Sequence, residues 1–168
     1  MKHLNSSKDV ISHFPQLIAR NLEGEKIEIP QSFHGDFNLV LVAFKRWHQS
    51  LVNQWVSLAQ FHQENRKILD IYELPTLDSS YKLAKFWIDG GMRLGIPDKT
   101  IRKHTITLYL NKREFDKKLG IKNEDTIQVF LLDNDGAILW REEGKLTGEK
   151  KKIFEIELQK LGIIQENM

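Results

Sequence analysis

Six apolar residues in succession, Leu39-Val40-Leu41-Val42-Ala43-Phe44, stand out from the polar residues on either side. A run so short and so continuous predicts a strand covered on both faces, and therefore a central strand of an α/β sheet. After Lys45-Arg46 the period changes, and Leu51, Val52, Trp55, Val56, Ala59 and Phe61 recur at helical spacing, which predicts a helix over about 48–66. The stretch Lys67 to Glu73 reads as a second strand. Asp78 or Ser79 caps a helix carrying Tyr81, Ala84, Phe86, Trp87 and Ile88, and Gly90-Gly91 is expected to stop it.

Beyond a polar, basic stretch with Pro97, Thr105 to Leu110 alternates and is β-branched, predicting a third strand. Asn111 and Glu114 have the spacing of a capping box, and Gly120 stands where a left-handed glycine ends a short helix. Thr126 to Leu132, the turn Asp133-Asn134-Asp135-Gly136 and Ala137 to Arg141 read as an antiparallel hairpin. A last helix, about 148–161, presents Phe154, Leu158 and Leu161 on one side. At the other end, Phe14 to Pro30 reads as a hairpin around Gly24, preceded by a polar arm. The expected organisation is an arm over residues 1–13 and a single domain over 14–168, with no internal repeat.

Composition narrows the chemistry. The 168 residues include no cysteine, which excludes thiol exchange, disulfides and cysteine-bound metals. A formal charge of +2 is too small to imply a nucleic-acid or membrane partner for the chain as a whole. Residues 93–122, however, carry nine basic against three acidic side chains, a local balance of +6. That stretch is either a solvated face or the contact for an anionic partner. No apolar run approaches the roughly 20 residues of a membrane span, and the amino terminus lacks the apolar core of a secretory signal, so the expected location is cytoplasmic.

Three local matches make the chain resemble the thioredoxin-like fold in its redoxin form. They are Phe14-Pro15-Gln16-Leu17 with Leu22-Glu23-Gly24-Glu25; Leu39 to Phe44 followed by Trp47-His48-Gln49-Ser50-Leu51; and Leu119-Gly120-Ile121 through Thr126 to Ile138. The resemblance implies a mixed central sheet flanked by helices, with an N-terminal hairpin and an inserted β-α unit. It also places His48 and Leu51 at the two thiol positions of the family and Ile127 at its cis-proline position. A cis bond before a non-proline residue costs about 2.5 to 4 kcal/mol, so a trans bond is expected there. A narrower resemblance, to the mitochondrial ATP synthase assembly-factor family, rests on Ile88-Asp89-Gly90-Gly91-Met92-Arg93 with Gly95-Ile96-Pro97, on Arg102 and Thr105 to Tyr109, and on Gly136, Ile138, Trp140 and Arg141. It implies chaperone-like binding of a protein client, a subunit of a membrane complex, without catalysis.

His48 is the one candidate catalytic residue. At a helix N-terminus beyond a central strand it would be neutral, fit either to cap and pack or to act as a general base on a small anionic substrate held by Arg93 or Arg102. Trp47, in a turn between Arg46 and His48, has no periodic reason to be buried and is the expected interface anchor, whereas Trp55 and Trp87 read as core. The candidate binding surface is therefore Arg46, Trp47, His48 and Gln49, joined by Arg93, Arg102 and His104 from the basic stretch. No metal or cofactor is expected. His48 and His62 would stand about 21 Å apart at about 1.5 Å per residue, and Asp133-Asn134-Asp135-Gly136 reads as a hairpin turn, not a calcium loop. Gly90-Gly91 lacks the spacing of a phosphate loop. The patterns set no oligomeric state.

Overall fold

In a computed structural model of the chain, residues 11–166 are described. The expected arm falls outside them as far as residue 10. Residues 12 and 13 lie along the sheet, where Ser12 accepts the Ile138 N–H at 2.8 Å and His13 pairs with Ala137.

The elements are β1 (Leu17–Asn21), β2 (Lys26–Ile29), β3 (Phe37–Ala43), α1 (Gln49–His62), β4 (Leu69–Asp78), α2 (Lys85–Gly95), α3 (Lys99–Lys103), β5 (Ile106–Leu110), α4 (Lys112–Leu119), β6 (Gln128–Asp133), β7 (Ile138–Glu143) and α5 (Gly148–Lys160). Seven strands form one mixed sheet in the order β2-β1-β5-β4-β3-β6-β7. β3 runs parallel to β4, which runs parallel to β5, while β6 and β7 add antiparallel neighbours on one side and the β1–β2 hairpin on the other. The run Leu39 to Val42 is wholly buried, as a strand paired on both edges and covered on both faces requires.

Because side chains alternate along a strand, β3 feeds two cores. Val40 and Val42 pack with Tyr72, Leu74, Phe115 and Phe130 beneath α4. Leu39 and Leu41 pack with Trp55, Val129, Phe154 and Leu158 beneath α1 and α5. The Trp55 indole also donates to the Gly144 carbonyl at 2.9 Å, which ties α1 to the end of β7. Asn111 caps α4 by accepting the Glu114 N–H at 3.1 Å, and Gly120 ends it at φ +63, the left-handed conformation the sequence predicts.

Three expectations need correction. β4 continues five residues past Glu73 to Asp78. Pro75 stands at the last pair with β3, and the strand pairs with β5 from Thr76 onward. Gly90-Gly91 does not stop a helix: α2 passes through both, because neither adopts positive φ. Trp87 is not core but 79% exposed. α2 turns its polar side inward, where Asp89 accepts the Tyr109 phenol at 2.7 Å and Met92 meets the Thr107 hydroxyl at 3.8 Å. The apolar stripe is thereby left facing out.

Candidate functional site

β3 ends at Ala43, and a 3₁₀ turn, Arg46–His48, leads into α1. This places His48 just ahead of a helix N-terminus beyond the carboxyl end of a central strand, as the sequence predicts. Its ring is wholly buried. Nδ1 accepts the N–H groups of Phe44 and Lys45 at 3.1 and 3.3 Å, so a proton on the ring belongs on Nε2, which is buried without a hydrogen-bond partner. Burial lowers the pKa of the ring, only partly opposed by the backbone of Asp125. A neutral histidine stapling the 3₁₀ turn to the strand end is what this geometry provides. A general base would need an open nitrogen beside a nucleophile, and the Ser50 hydroxyl instead donates to the Trp47 carbonyl at 3.2 Å.

Trp47 stands edge-on to the His48 ring, with centroids 4.4 Å apart, and is 57% exposed. Arg46 and Gln49 beside it are exposed as well. The Gln49 amide donates to Glu73 at 3.2 Å and to Asn53 at 2.9 Å. Burial raises the Glu73 pKa, with Gln49 opposing. Lys45 pairs with Asp125 across the same end of the sheet and holds that carboxylate below its ordinary range. Arg46, Trp47, His48 and Gln49 therefore form one local cluster.

The remaining candidates have structural partners. Arg102 pairs with Glu23 and donates to the carbonyls of Ile96 and Pro97 at 2.8 and 2.7 Å, which clamps the turn between α2 and α3 onto the β1–β2 hairpin. Arg93 stands 3.8 Å from the same carboxylate. The His104 ring meets Asp70 at 2.8 Å through Nε2 and the Thr100 carbonyl at 2.7 Å through Nδ1. Asp70, which the sequence reading passed over, is buried and also accepts from the Tyr72 phenol at 3.0 Å, the Ile71 N–H at 3.0 Å and Arg66 at 3.3 Å. Burial alone would raise its pKa, but the hydrogen bond and charge of His104, with the Ile71 and Tyr72 bonds, bring it below the ordinary value. An aspartate inside the apolar run Leu69-Asp70-Ile71-Tyr72 was the available signal, since a buried carboxylate needs partners.

A carboxyl pair escaped the sequence as well. Asp116 on α4 is pushed up to about 7 by burial and by Glu124, while Lys112 holds Glu124 at 2.7 Å. A cleft of about 30 Å³ between α1 and α3 is lined by Val56, Gln60, Ile71, Glu73, Ile101 and His104, and an open hollow of about 350 Å³ is lined by Gly120, Lys122, Asn123, Gln128 and Arg141. Among the described residues no cluster of three His, Asp or Glu side chains could hold a metal.

The bond before Ile127 is trans, and the Ile127 carbonyl accepts the Gly144 N–H at 3.0 Å. The backbone at Ile127 is thus engaged within the fold. The chain has no cysteine, and its architecture is a thioredoxin-like fold. The ATP10 protein family matches residues 7–161, and the chain belongs to that family of ATP synthase assembly factors. Among solved structures the chain is similar to BsSco, a member of the Sco family of cytochrome c oxidase assembly proteins, at 14% identity over 95% of this chain and 98% of that one, TM-score 0.59. It is similar also to the thioredoxin domain of a thiol-disulfide oxidoreductase from Bacteroides vulgatus, at 16% identity over 86% and 94%, TM-score 0.58. A third is an exposed lipoprotein thioredoxin from Streptococcus pneumoniae, at 11% identity over 86% and 99%, TM-score 0.55. These likenesses show the fold. No curated protein matches.

Proposed function

We propose that this protein is a redox-inactive binding module that holds a protein client during assembly of a membrane complex, with Trp47 as the anchor of the client surface and Arg46 and Gln49 beside it. One observation carries the reading: at the end of the sheet where redoxins place their thiols, a buried neutral histidine supports an exposed tryptophan. Exposed Trp and Arg are the side chains that dominate protein interfaces, and a rigidly backed Trp loses little freedom on binding. Family membership supports a protein client, and no helix of the described residues is long and apolar enough to cross a membrane. Binding is by shape and charge, with no covalent step.

Affinity capture from cells of origin with the wild type and Trp47→Ala in parallel tests this. Subunits of the membrane complex recovered with the wild type and reduced about tenfold or more with Trp47→Ala support the reading, that ratio being about 1.4 kcal/mol. Equal recovery removes Trp47 as the anchor.

A further inference from the structure

α2 and the 3₁₀ segment before it carry large apolar side chains that nothing among the described residues covers. Leu83 is 99% exposed, Phe86 82%, Trp87 79% and Leu94 88%. Trp87 and Leu94 are seven residues apart and lie on one line of the helix, with Phe86 at its edge and Leu83 in the 3₁₀ segment just before it. α2 itself buries no residue. Its orientation is fixed, because Asp89 and Met92 on the opposite side are tied to Tyr109 and Thr107 of β5.

The stripe is flanked by basic side chains. Lys82 and Lys99 make no ion pair among the described residues, and Arg93 meets only Glu23, a carboxylate already paired with Arg102. The acidic groups of the segment are hydrogen-bonded within the fold: Asp78 accepts the Ser80 N–H, Asp89 the Tyr109 phenol of β5, and Asp98 the N–H groups of Thr100 and Ile101. A second copy of this face would bring lysine against lysine, so charge argues against self-association. The side chains project, and neither hollow described above is lined by any of the four. A projecting row of Leu, Phe and Trp with basic flanks matches a soft apolar layer beneath anionic headgroups better than it matches a shaped protein surface.

We infer that Leu83, Phe86, Trp87 and Leu94 form a membrane-docking face: α2 lies in the interface of an anionic bilayer, the four side chains among the upper acyl carbons and Lys82, Arg93 and Lys99 on the headgroup phosphates. This role stands apart from the client surface at Trp47, and either can fail without the other.

The test is flotation of the purified full chain with vesicles of phosphatidylcholine alone and of phosphatidylcholine with about 30% phosphatidylglycerol. The wild type is expected to float with the anionic vesicles, about tenfold more than with neutral ones, and to be released by high salt. Leu83→Ser, Phe86→Ser, Trp87→Ser and Leu94→Ser combined should abolish flotation. All four sites are exposed, so the variant should keep its circular dichroism. Lys82→Glu with Lys99→Glu should lose the anionic preference. Bromine-labelled acyl chains should quench the wild type more than Trp87→Phe, which still floats. A wild type that stays in the soluble fraction overturns the inference, as does flotation of the fourfold serine variant. Sedimentation as a dimer that the serine substitutions dissociate, without vesicle binding, would assign the face to a second copy and overturn it too.

Discussion

The phenol of Tyr109 donates to the carboxylate of Asp89 at 2.7 Å, and this bond helps set which side of α2 faces the sheet. The Lys85 ammonium lies 5.7 Å from the centre of the same ring. Burial and the neighbouring carboxylate push the phenol's pKa up. A hydrogen bond to a charged group contributes about 1.5 to 3 kcal/mol. Tyr109→Phe should therefore loosen α2 locally: amide hydrogen exchange over residues 85–95 should accelerate about tenfold or more, while β3 and β6 keep their protection. Unchanged exchange in α2 would show that other contacts hold it.

His48 makes stability depend on acid. Its folded-state pKa lies below the ordinary value of 6.5, so the unfolded chain takes up a proton first. The stabilising contribution is complete above pH 6.5 and declines as pH falls toward the depressed value. His48→Ala removes the acceptor of two backbone N–H groups and leaves a cavity, a loss of about 2 to 4 kcal/mol in urea unfolding. The variant should also lack that part of the acid dependence. A pH profile unchanged by the substitution would contradict the assignment.

Asp116, whose pKa is raised by burial and by the Glu124 carboxyl, acts in the opposite direction. Asp116 is raised from 3.8 to about 7, so between those values the unfolded chain releases a proton that the folded chain keeps. Stability from this group is complete below 3.8 and falls as pH rises toward about 7. Asp116→Asn holds the site neutral at every pH and should flatten this part of the profile. A melting temperature that varies with pH in the same way before and after the substitution would exclude Asp116 as the cause.

Two glycines of the chain should respond oppositely to alanine. At Gly136, φ is +84 and an added Cβ would come within 2.4 Å of the Pro30 Cγ, so Gly136→Ala should destabilise by about 1 to 3 kcal/mol. At Gly91 an added Cβ meets nothing within 4 Å and the backbone is helical, so Gly91→Ala should stabilise by about 0.5 to 1 kcal/mol. Thermal unfolding of the two single variants separates these signs.

The sheet was legible because burial on both faces leaves a mark on sequence. Leu39 to Phe44 has no polar interruption, and the Asn111, Glu114 and Gly120 signals depend only on local backbone geometry. His48 was legible as a position, since a strand end followed by helical periodicity fixes its place. α2 was not. Its apolar period is the same whether the stripe faces a core or faces out, and only the inward bonds of Asp89 and Met92 decide between them. The pairings of the basic stretch are hidden for a related reason. Arg102 and His104 read from sequence as part of a candidate binding surface, and their partners Glu23 and Asp70 lie 79 and 34 residues away along the chain.

The most direct test of the client surface is photocrosslinking in cells from a benzoylphenylalanine placed at residue 47, with the same probe at Phe61, 82% exposed on α1, as the control. A client surface at Trp47 predicts adducts to a membrane-complex subunit from position 47 and none from position 61. Adducts to that subunit from position 61 alone, or no protein adduct from position 47, would contradict it.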